Sequence, residues 1–132
     1  MTNTRNTPIE ALELAMPLLV EEYRLIPGSG GLGRFPGGYG VRRSIRLLAG
    51  KGTASILSER RLLAPKGLES GEDGRKGRNL LVRGNRRRVL PSKVTLDLRR
   101  DEMLVIETPG GGGWGQRAPG KAQSVAYVHR AD

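Results

Sequence analysis

The sequence contains no cysteine and a single histidine, His129, among its 132 residues. A chain without cysteine forms no disulfide bond, thiolate nucleophile or cysteine-ligated zinc site, and one histidine cannot supply the histidine pair of a zinc protease. We therefore expect no metal site in this chain and a reducing, cytoplasmic environment. The uncharged apolar run at residues 15–20 is far shorter than the ~20 residues that span a bilayer, so we expect no membrane association.

Acidic and aromatic residues are also few. The 13 Asp and Glu residues face 23 Lys and Arg residues, which gives a net charge of +10, and the aromatic residues are one Phe, one Trp and three Tyr. This charge favours an anionic partner such as nucleic acid, a phosphorylated ligand or an acidic subunit, although an arginine-rich genome or a heat-adapted host produces the same count without any partner.

A patch for an anionic partner would consist of the cations concentrated in eighteen residues of two predicted hairpins, namely Arg83, Arg86, Arg87, Arg88, Lys93, Arg99 and Arg100. Such a patch can follow a phosphate backbone. No aromatic side chain is interleaved with these cations, so the patch lacks groups on which bases stack. We therefore do not expect nucleic acid to be the main partner.

One helix is predicted near the start of the chain, after polar residues 1–6 that we expect to be frayed. Thr7 can cap the helix, Pro8 suits its first position, and Glu10 can complete a capping box with Thr7. Apolar residues then recur at spacings of three and four. Pro17 costs a backbone hydrogen bond and should end the helix.

Alternating apolar residues and short apolar runs predict a mainly β domain at residues 7–115. The extended segments are residues 18–26, 39–48, 53–58, 79–83, 86–90, 93–98 and 103–106. Turn signals every ten residues or so, without crossover helices, indicate an antiparallel sandwich or barrel-like domain with one short N-terminal helix. Residues 116–132 form a basic tail whose apolar run at 125–128 is a candidate last edge strand.

Three hairpins are expected from the turn signals between these strands. The first joins residues 39–48 to 53–58, the second joins 79–83 to 86–90 through Gly84 and Asn85, and the third joins 93–98 to 103–107. On the strand at residues 39–48, alternation places Arg42, Ser44 and Arg46 on the polar face. We expect the core to include Val94, Leu96, Leu98 and Val105.

Glycine is concentrated in two runs, and a longer glycine-containing surface loop covers residues 64–78. The segment 28–40 has seven glycines in thirteen residues, and the second run is Gly110 to Gly113. Neither run has the Lys-Ser/Thr ending of a P-loop or a helix after it, so they indicate close backbone approach more than nucleotide binding. We expect the second run to approach the first or a neighbouring chain. The candidate ligand or interface residues are Ser29, Gly30, Gly31, Gly33, Gly110, Gly111, Gly112, Gly113 and Trp114.

No motif assembles a general acid, a base and a nucleophile into a catalytic group. Glu107 is the one carboxylate that ends an apolar strand and enters a glycine loop, where it would meet a ligand. The catalytic residues therefore stay unknown, with Glu107 as a weak candidate.

Six short sequence motifs occur in an order that resembles the C-terminal part of the hydantoinase B family. ATP-dependent hydantoinases, 5-oxoprolinases and acetone carboxylases share this part. The motifs are NTPIEALE (6–13), SGGLG (29–33) after Tyr23, GGYG (37–40), GRN (77–79), LPSK (90–93) and ETPGGGGWG (107–115). The resemblance implies ATP-dependent opening of a cyclic amide, such as 5-oxoproline or hydantoin, or ATP-dependent ketone carboxylation.

In such systems a hydantoinase A type protein or region binds the nucleotide and phosphorylates, and the B type region acts on the activated intermediate. The resemblance therefore implies no cofactor in this chain, and ATP with a divalent metal in the complete system. Family members are several times longer, and the known metal ligands lie N-terminal to the matched part. The implied partners are the remaining hydantoinase B region and a hydantoinase A type subunit, or further copies of this chain.

Two hypotheses from different classes follow. The first is a C-terminal structural or subunit domain of a hydantoinase B type enzyme that is inactive alone. The alternative is a small basic protein that keeps the fold and binds an anionic partner such as nucleic acid through its arginines.

Overall fold

The computed structural model describes residues 6–117, which form one short helix and seven strands in two antiparallel sheets. These elements are α1 (Ile9–Ala15), β1 (Leu18–Ile26), β2 (Gly40–Leu47), β3 (Lys51–Leu57), β4 (Arg78–Arg83), β5 (Arg86–Leu90), β6 (Lys93–Arg99) and β7 (Met103–Glu107). The domain is mainly β, as the sequence predicted, and its sheets do not close into a barrel. The predicted edge strand at 125–128 lies outside the described residues.

The hydrophobic core lies between the two sheets. The larger sheet has the strand order β1-β2-β7-β4-β5, and the smaller consists of β3 and β6. Six strands contribute the fully buried cluster, which is Leu47, Ile56, Leu81, Leu90, Leu98 and Leu104. The apolar strand β7 occupies the middle of the larger sheet, as its continuous apolar run predicted.

Two of the four core residues expected from the sequence are fully buried. Leu98 and Val105 are 8% and 1% exposed. Val94 and Leu96 pack against the core but are only half-buried, so that part of the expectation is wrong. Within residues 6–117 their strand β6 pairs with one strand, β3, and a sheet of two strands leaves its margins open to solvent.

Two of the three predicted hairpins are wrong because their connections pass from one sheet to the other. β3 pairs with β6, and β2 pairs with β7. The β2–β3 and β6–β7 connections form two corners that are hydrogen-bonded to each other. The Asp101 N–H donates to the Leu47 carbonyl at 2.7 Å, and the Leu47 N–H donates to the Glu102 carbonyl at 3.1 Å. Alternation specifies which face of a strand is buried but not which strand lies beside it.

The remaining predicted hairpin, the second of the three, which joins β4 to β5, is confirmed. Its pairing runs from Arg83 opposite Arg86 to Asn79 opposite Leu90. Gly84 has φ +55°, a left-handed conformation that a two-residue turn requires and that glycine adopts without strain.

Helix α1 ends before Pro17, as predicted, but the expected capping box does not form. The helix begins at Ile9 with Pro8 as its N-cap, and no side chain caps it, because Thr7 lies one position too early. None of its residues is fully buried. The helix instead contacts the next strand through Glu13, whose Oε1 accepts from the Val20 N–H at 2.8 Å. No helix within residues 6–117 is long and apolar enough to cross a membrane.

Replacing Leu81 by alanine should destabilise the domain by about 2–5 kcal/mol, because Leu81 is 1% exposed at the centre of the core and its loss leaves a cavity. Urea unfolding followed by circular dichroism measures this change. The control is Leu57→Ala on β3, where the side chain is 83% exposed and the change should be within about 0.5 kcal/mol. Equal effects of the two substitutions would contradict the assigned core.

Candidate functional site

Three loops meet at the end of the larger sheet where β7 ends and β2 and β4 begin, and we call residues 29–38, 65–75 and 108–115 the glycine junction. The Gly31 N–H donates to the Gly111 carbonyl at 2.8 Å, and the Gly111 N–H donates to the Gly38 carbonyl at 2.9 Å. The Gly113 N–H donates to the Glu72 carbonyl, in the loop of residues 65–75, also at 2.9 Å. The expected approach of the second glycine run to the first is therefore confirmed.

Glycine is required in the junction because the backbones leave no space for a Cβ atom. A Cβ on Gly110 would lie 1.9 Å from the Ser29 carbonyl oxygen, and one on Gly37 would lie 2.0 Å from the Gly111 oxygen. A Cβ on Gly112 would lie 2.0 Å from the Lys66 oxygen. None of these three glycines has a left-handed φ, so close packing and not backbone conformation selects the residue here.

Ser29 is a structural residue of the junction. Its side chain is 2% exposed, and its hydroxyl donates to the Ile26 carbonyl and accepts from the Gly40 N–H, both at 2.7 Å. Its own carbonyl accepts from the Arg75 N–H at 2.7 Å. A hydroxyl held in this way joins the loop to the first residue of β2, and among residues 6–117 it has no general base as a hydrogen-bond partner.

Five glycine amides of the junction are not open to a phosphate group. The N–H groups of Gly31, Gly37, Gly110, Gly111 and Gly113 all donate to backbone carbonyls within the junction, at distances of 2.8 to 3.0 Å. Amides that already donate cannot hold a phosphate without breaking the junction. Likewise, residues 6–117 contain no group of three or more His, Cys, Asp or Glu side chains suited to a metal ion.

Two aromatic side chains cap the outer end of the junction. Phe35 and Trp114 exchange backbone hydrogen bonds of 2.9 and 2.8 Å, and their ring centroids lie 5.7 Å apart. Both rings remain exposed, Phe35 by 59% and Trp114 by 44%, and Leu68 beside them is 64% exposed. The junction thus fixes an apolar surface, which we call the aromatic cap (Phe35, Leu68 and Trp114).

The weak catalytic candidate Glu107 lies in an ion-pair network on the sheet face opposite the core. Its carboxylate is 8% exposed and accepts from Arg78 Nε at 3.0 Å and from Arg42 Nη1 at 3.2 Å. The Arg42 Nε lies 2.8 Å from Glu22 Oε2, although the angle is too bent for a hydrogen bond. Both oxygens of Glu107 are therefore engaged in joining β2, β7 and β4.

The same network continues to β1 through Glu22 and explains why the polar face of β2 is covered. A hydrogen bond from Arg24 lowers the pKa of Glu22, aided by a bond from the Ser44 hydroxyl at 3.1 Å and by the charge of Arg42. Ser44 is 2% exposed and Arg42 is half-buried, contrary to the solvent-facing position that alternation predicted. Ion pairs between neighbouring strands cover this face in place of a third layer.

The predicted basic patch is only partly assembled. Arg83, Arg86, Arg87 and Arg88 share the β4–β5 hairpin and line a shallow groove of about 420 Å³. Arg83 is already paired, since its Nε lies 2.8 Å from Glu102 Oε1. Lys93 and Arg99 stand at opposite ends of β6 in the other sheet, and Arg100 follows in the corner. Glu102 also accepts from the Arg99 N–H at 3.0 Å, so Arg99 lies beside Arg83, whereas Lys93 lies at the far end of β6.

The sequence did not single out Arg61, which the structure places in a groove beside the start of β4. Its guanidinium donates to the side-chain oxygen of Asn79, a residue 18 positions later that is fully buried. A local pattern cannot reveal such a pair, because neither residue lies at a spacing that a helix or a strand would impose.

Replacing Gly110 by alanine should destabilise the domain by more than about 4 kcal/mol or prevent folding, because the added Cβ would overlap the Ser29 carbonyl. Thermal unfolding by circular dichroism measures the change. The control is Gly38→Ala, which has open space around its Cβ and an ordinary φ, and which should be neutral or stabilise by about 0.4–1 kcal/mol. A Gly110→Ala protein as stable as its control would contradict the close packing of the junction.

Comparison with known proteins gives one consistent family. A model of the Hydantoinase B/oxoprolinase family matches residues 1–117. The 5-oxoprolinase of Dictyostelium discoideum is 47% identical over 118 residues, which are 89% of this chain and 9% of that protein. The 5-oxoprolinase 1 of Arabidopsis thaliana is 43% identical over 116 residues, which are 87% of this chain and 9% of that protein.

The fold recurs in a much larger enzyme. The crystal structure of an ATP-dependent caprolactamase from Pseudomonas jessenii matches with a TM-score of 0.69 and 23% sequence identity, over 83% of this chain and 20% of that chain. At this identity the likeness shows a shared fold. The chain thus spans less than a quarter of the length of each of these proteins, and by its sequence it belongs to the hydantoinase B/oxoprolinase family.

Proposed function

We propose that this chain is a C-terminal structural domain of a hydantoinase B type enzyme and is inactive alone. The observation that carries the proposal is the aromatic cap, an exposed apolar surface on a rigid junction, in a chain that matches only 9% of a 5-oxoprolinase. Exposed apolar patches mark interaction sites, and Trp and Phe are enriched in protein interfaces. The remaining hydantoinase B region is the occupant of this surface.

The reaction of the complete enzyme under this proposal is the ATP-dependent opening of a small cyclic amide. The names of the relatives support this class, since they include two 5-oxoprolinases and an ATP-dependent caprolactamase. Ketone carboxylation is the second reaction that the family resemblance implies. The proposal assigns ATP and any divalent metal to other regions and to a hydantoinase A type partner, and places the enzyme in the cytoplasm.

Within the enzyme the chain contributes rigidity and shape more than proton transfer. Five glycine amides of the junction and both Glu107 oxygens are engaged within the domain, so these groups serve the architecture. The domain packs against the reacting region and holds it in one geometry, and a fixed geometry is what positions a substrate for reaction.

A chimaera tests the proposal most sharply. In the Dictyostelium discoideum 5-oxoprolinase, the segment that matches this chain is replaced by residues 1–117 of this chain, and 5-oxoproline hydrolysis is measured. We expect activity in the chimaera, none in the isolated chain, and none in the enzyme with the segment deleted. Turnover by the isolated chain above background would contradict the proposal.

Variants of the chimaera test the aromatic cap itself. The double substitution Phe35→Ser and Trp114→Ser should abolish activity or assembly, while Leu14→Ser, which alters a side chain that is 90% exposed on α1, should leave both unchanged. Circular dichroism of the isolated variants verifies that the domain still folds. Full activity of the double variant would show that the cap is not the interface.

The alternative function, binding of an anionic partner, is supported by the exposed side chains of Arg86, Arg87 and Arg88 on the edge strand β5. An inactive chimaera together with binding of the isolated chain to duplex DNA at physiological salt would favour this alternative, because weak phosphate contacts are lost steeply as salt rises.

A further inference from the structure

A half-open groove of about 660 Å³ lies where β4 begins and β5 ends, beside the glycine junction. Its walls include four cations, namely Arg61, Arg75, Lys76 and Arg78, and two exposed apolar side chains, Leu62 and Val89. Among the described residues, the single carboxylate in the lining is Glu107. Nothing in the proposed function uses this groove, and the inference drawn from it does not depend on that function.

The structure holds the guanidinium of Arg61 in a fixed position in this groove. Arg61 Nε and Nη2 donate to the Asn79 side-chain oxygen at 3.1 and 3.0 Å, and Nη1 donates to the Glu59 carbonyl at 2.6 Å. Asn79 is itself 0% exposed and donates to the Ser58 hydroxyl at 2.9 Å and to the Pro91 carbonyl at 3.2 Å. A buried amide with all of these bonds cannot rotate, so the arginine it orients is preorganised.

The positive charge of Arg61 is not neutralised within residues 6–117. All of its acceptors are neutral oxygens, whereas Arg42, Arg46 and Arg78 each pair with a carboxylate. Burial lowers the pKa of Arg61, as expected for a desolvated cation without a neighbouring anion. Its three hydrogen bonds use three of five N–H groups, which leaves two for a ligand.

The rest of the groove has the same charge imbalance. Within residues 6–117, Glu107 is the only acidic member of the lining, and its two oxygens already accept from Arg42 and Arg78. Arg75 and Lys76 add two further exposed cations to the lining. An anion would therefore gain charge-assisted hydrogen bonds there, while Leu62 and Val89, 81% and 68% exposed, offer an apolar surface to the uncharged part of the same molecule.

We propose that this groove is a binding site for a small organic anion, whose carboxylate or phosphate group is held by Arg61 with Arg75 and Lys76 and whose apolar part rests on Leu62 and Val89. The backbone of Arg75 is fixed in the glycine junction, where its N–H donates to Ser29 and its carbonyl accepts from Gly110. The junction thereby fixes the backbone position of Arg75 in the lining of the groove.

The test uses the isolated full chain and three probes, inorganic phosphate, cyclopentanecarboxylate and its neutral match cyclopentanecarboxamide. Chemical-shift changes of the backbone amides of Leu62 and Gly77 are followed by NMR during titration at low salt. We expect saturable binding of at least one anion in the low millimolar range, about what a ligand of eight heavy atoms can reach, and no saturation with the neutral amide. The two anions distinguish a phosphate from a carboxylate ligand.

Two variants that remove the same charge separate the site from general electrostatics. Arg61→Met should weaken binding about tenfold, whereas Arg88→Met on the exposed edge strand should change it less than about twofold. If Arg61→Met does not fold, the double variant Arg75→Met and Lys76→Met takes its place, with a loss of at least about threefold expected. Equal losses in the site and control variants, equal binding of the neutral amide, or no saturable binding of either anion would overturn the proposal.

Discussion

The structure depends on the absence of Cβ atoms where three loops cross. At Gly37, Gly110 and Gly112 a neighbouring carbonyl oxygen occupies the space that a side chain would need. Close approach lets the backbones satisfy one another by hydrogen bonds, so loops without regular secondary structure are joined to one another as strands are in a sheet. Glycine costs conformational entropy on folding, and these hydrogen bonds and contacts are what offset that cost.

The high arginine content serves two different purposes. Arg42, Arg46, Arg78 and Arg83 pair with carboxylates and hold neighbouring strands or the corner beside β7 together, which accounts for part of the basic composition. Arg61 is oriented by a neutral amide instead, and Arg86 to Arg88 remain exposed on an edge strand. Edge cations also discourage other chains from adding to the sheet. Net charge alone therefore could not distinguish architecture from binding.

The sequence predicted the local features of the fold well and the strand partners poorly. Pro17, Gly84 with Asn85, and the alternation of residues 93–98 act over a few residues, and the helix end, the β4–β5 hairpin and β6 all follow from them. The pairing of β3 with β6 joins residues more than 35 positions apart and depends on which sheet each corner enters. The approach of the two glycine runs was predictable because a run of glycines indicates that backbones come close together. Arg61 and Asn79, in contrast, come together only through the packed tertiary structure.

Hydrogen exchange of the junction amides tests the central claim most directly. In the isolated chain, the amides of Gly31, Gly111 and Gly113 should exchange as slowly as those of Leu81 and Val105 in the middle of the larger sheet, because all of them donate to backbone carbonyls within one packed unit. Exchange of these glycine amides at the rate of an exposed loop, with Leu81 still protected, would contradict a junction held by close backbone packing.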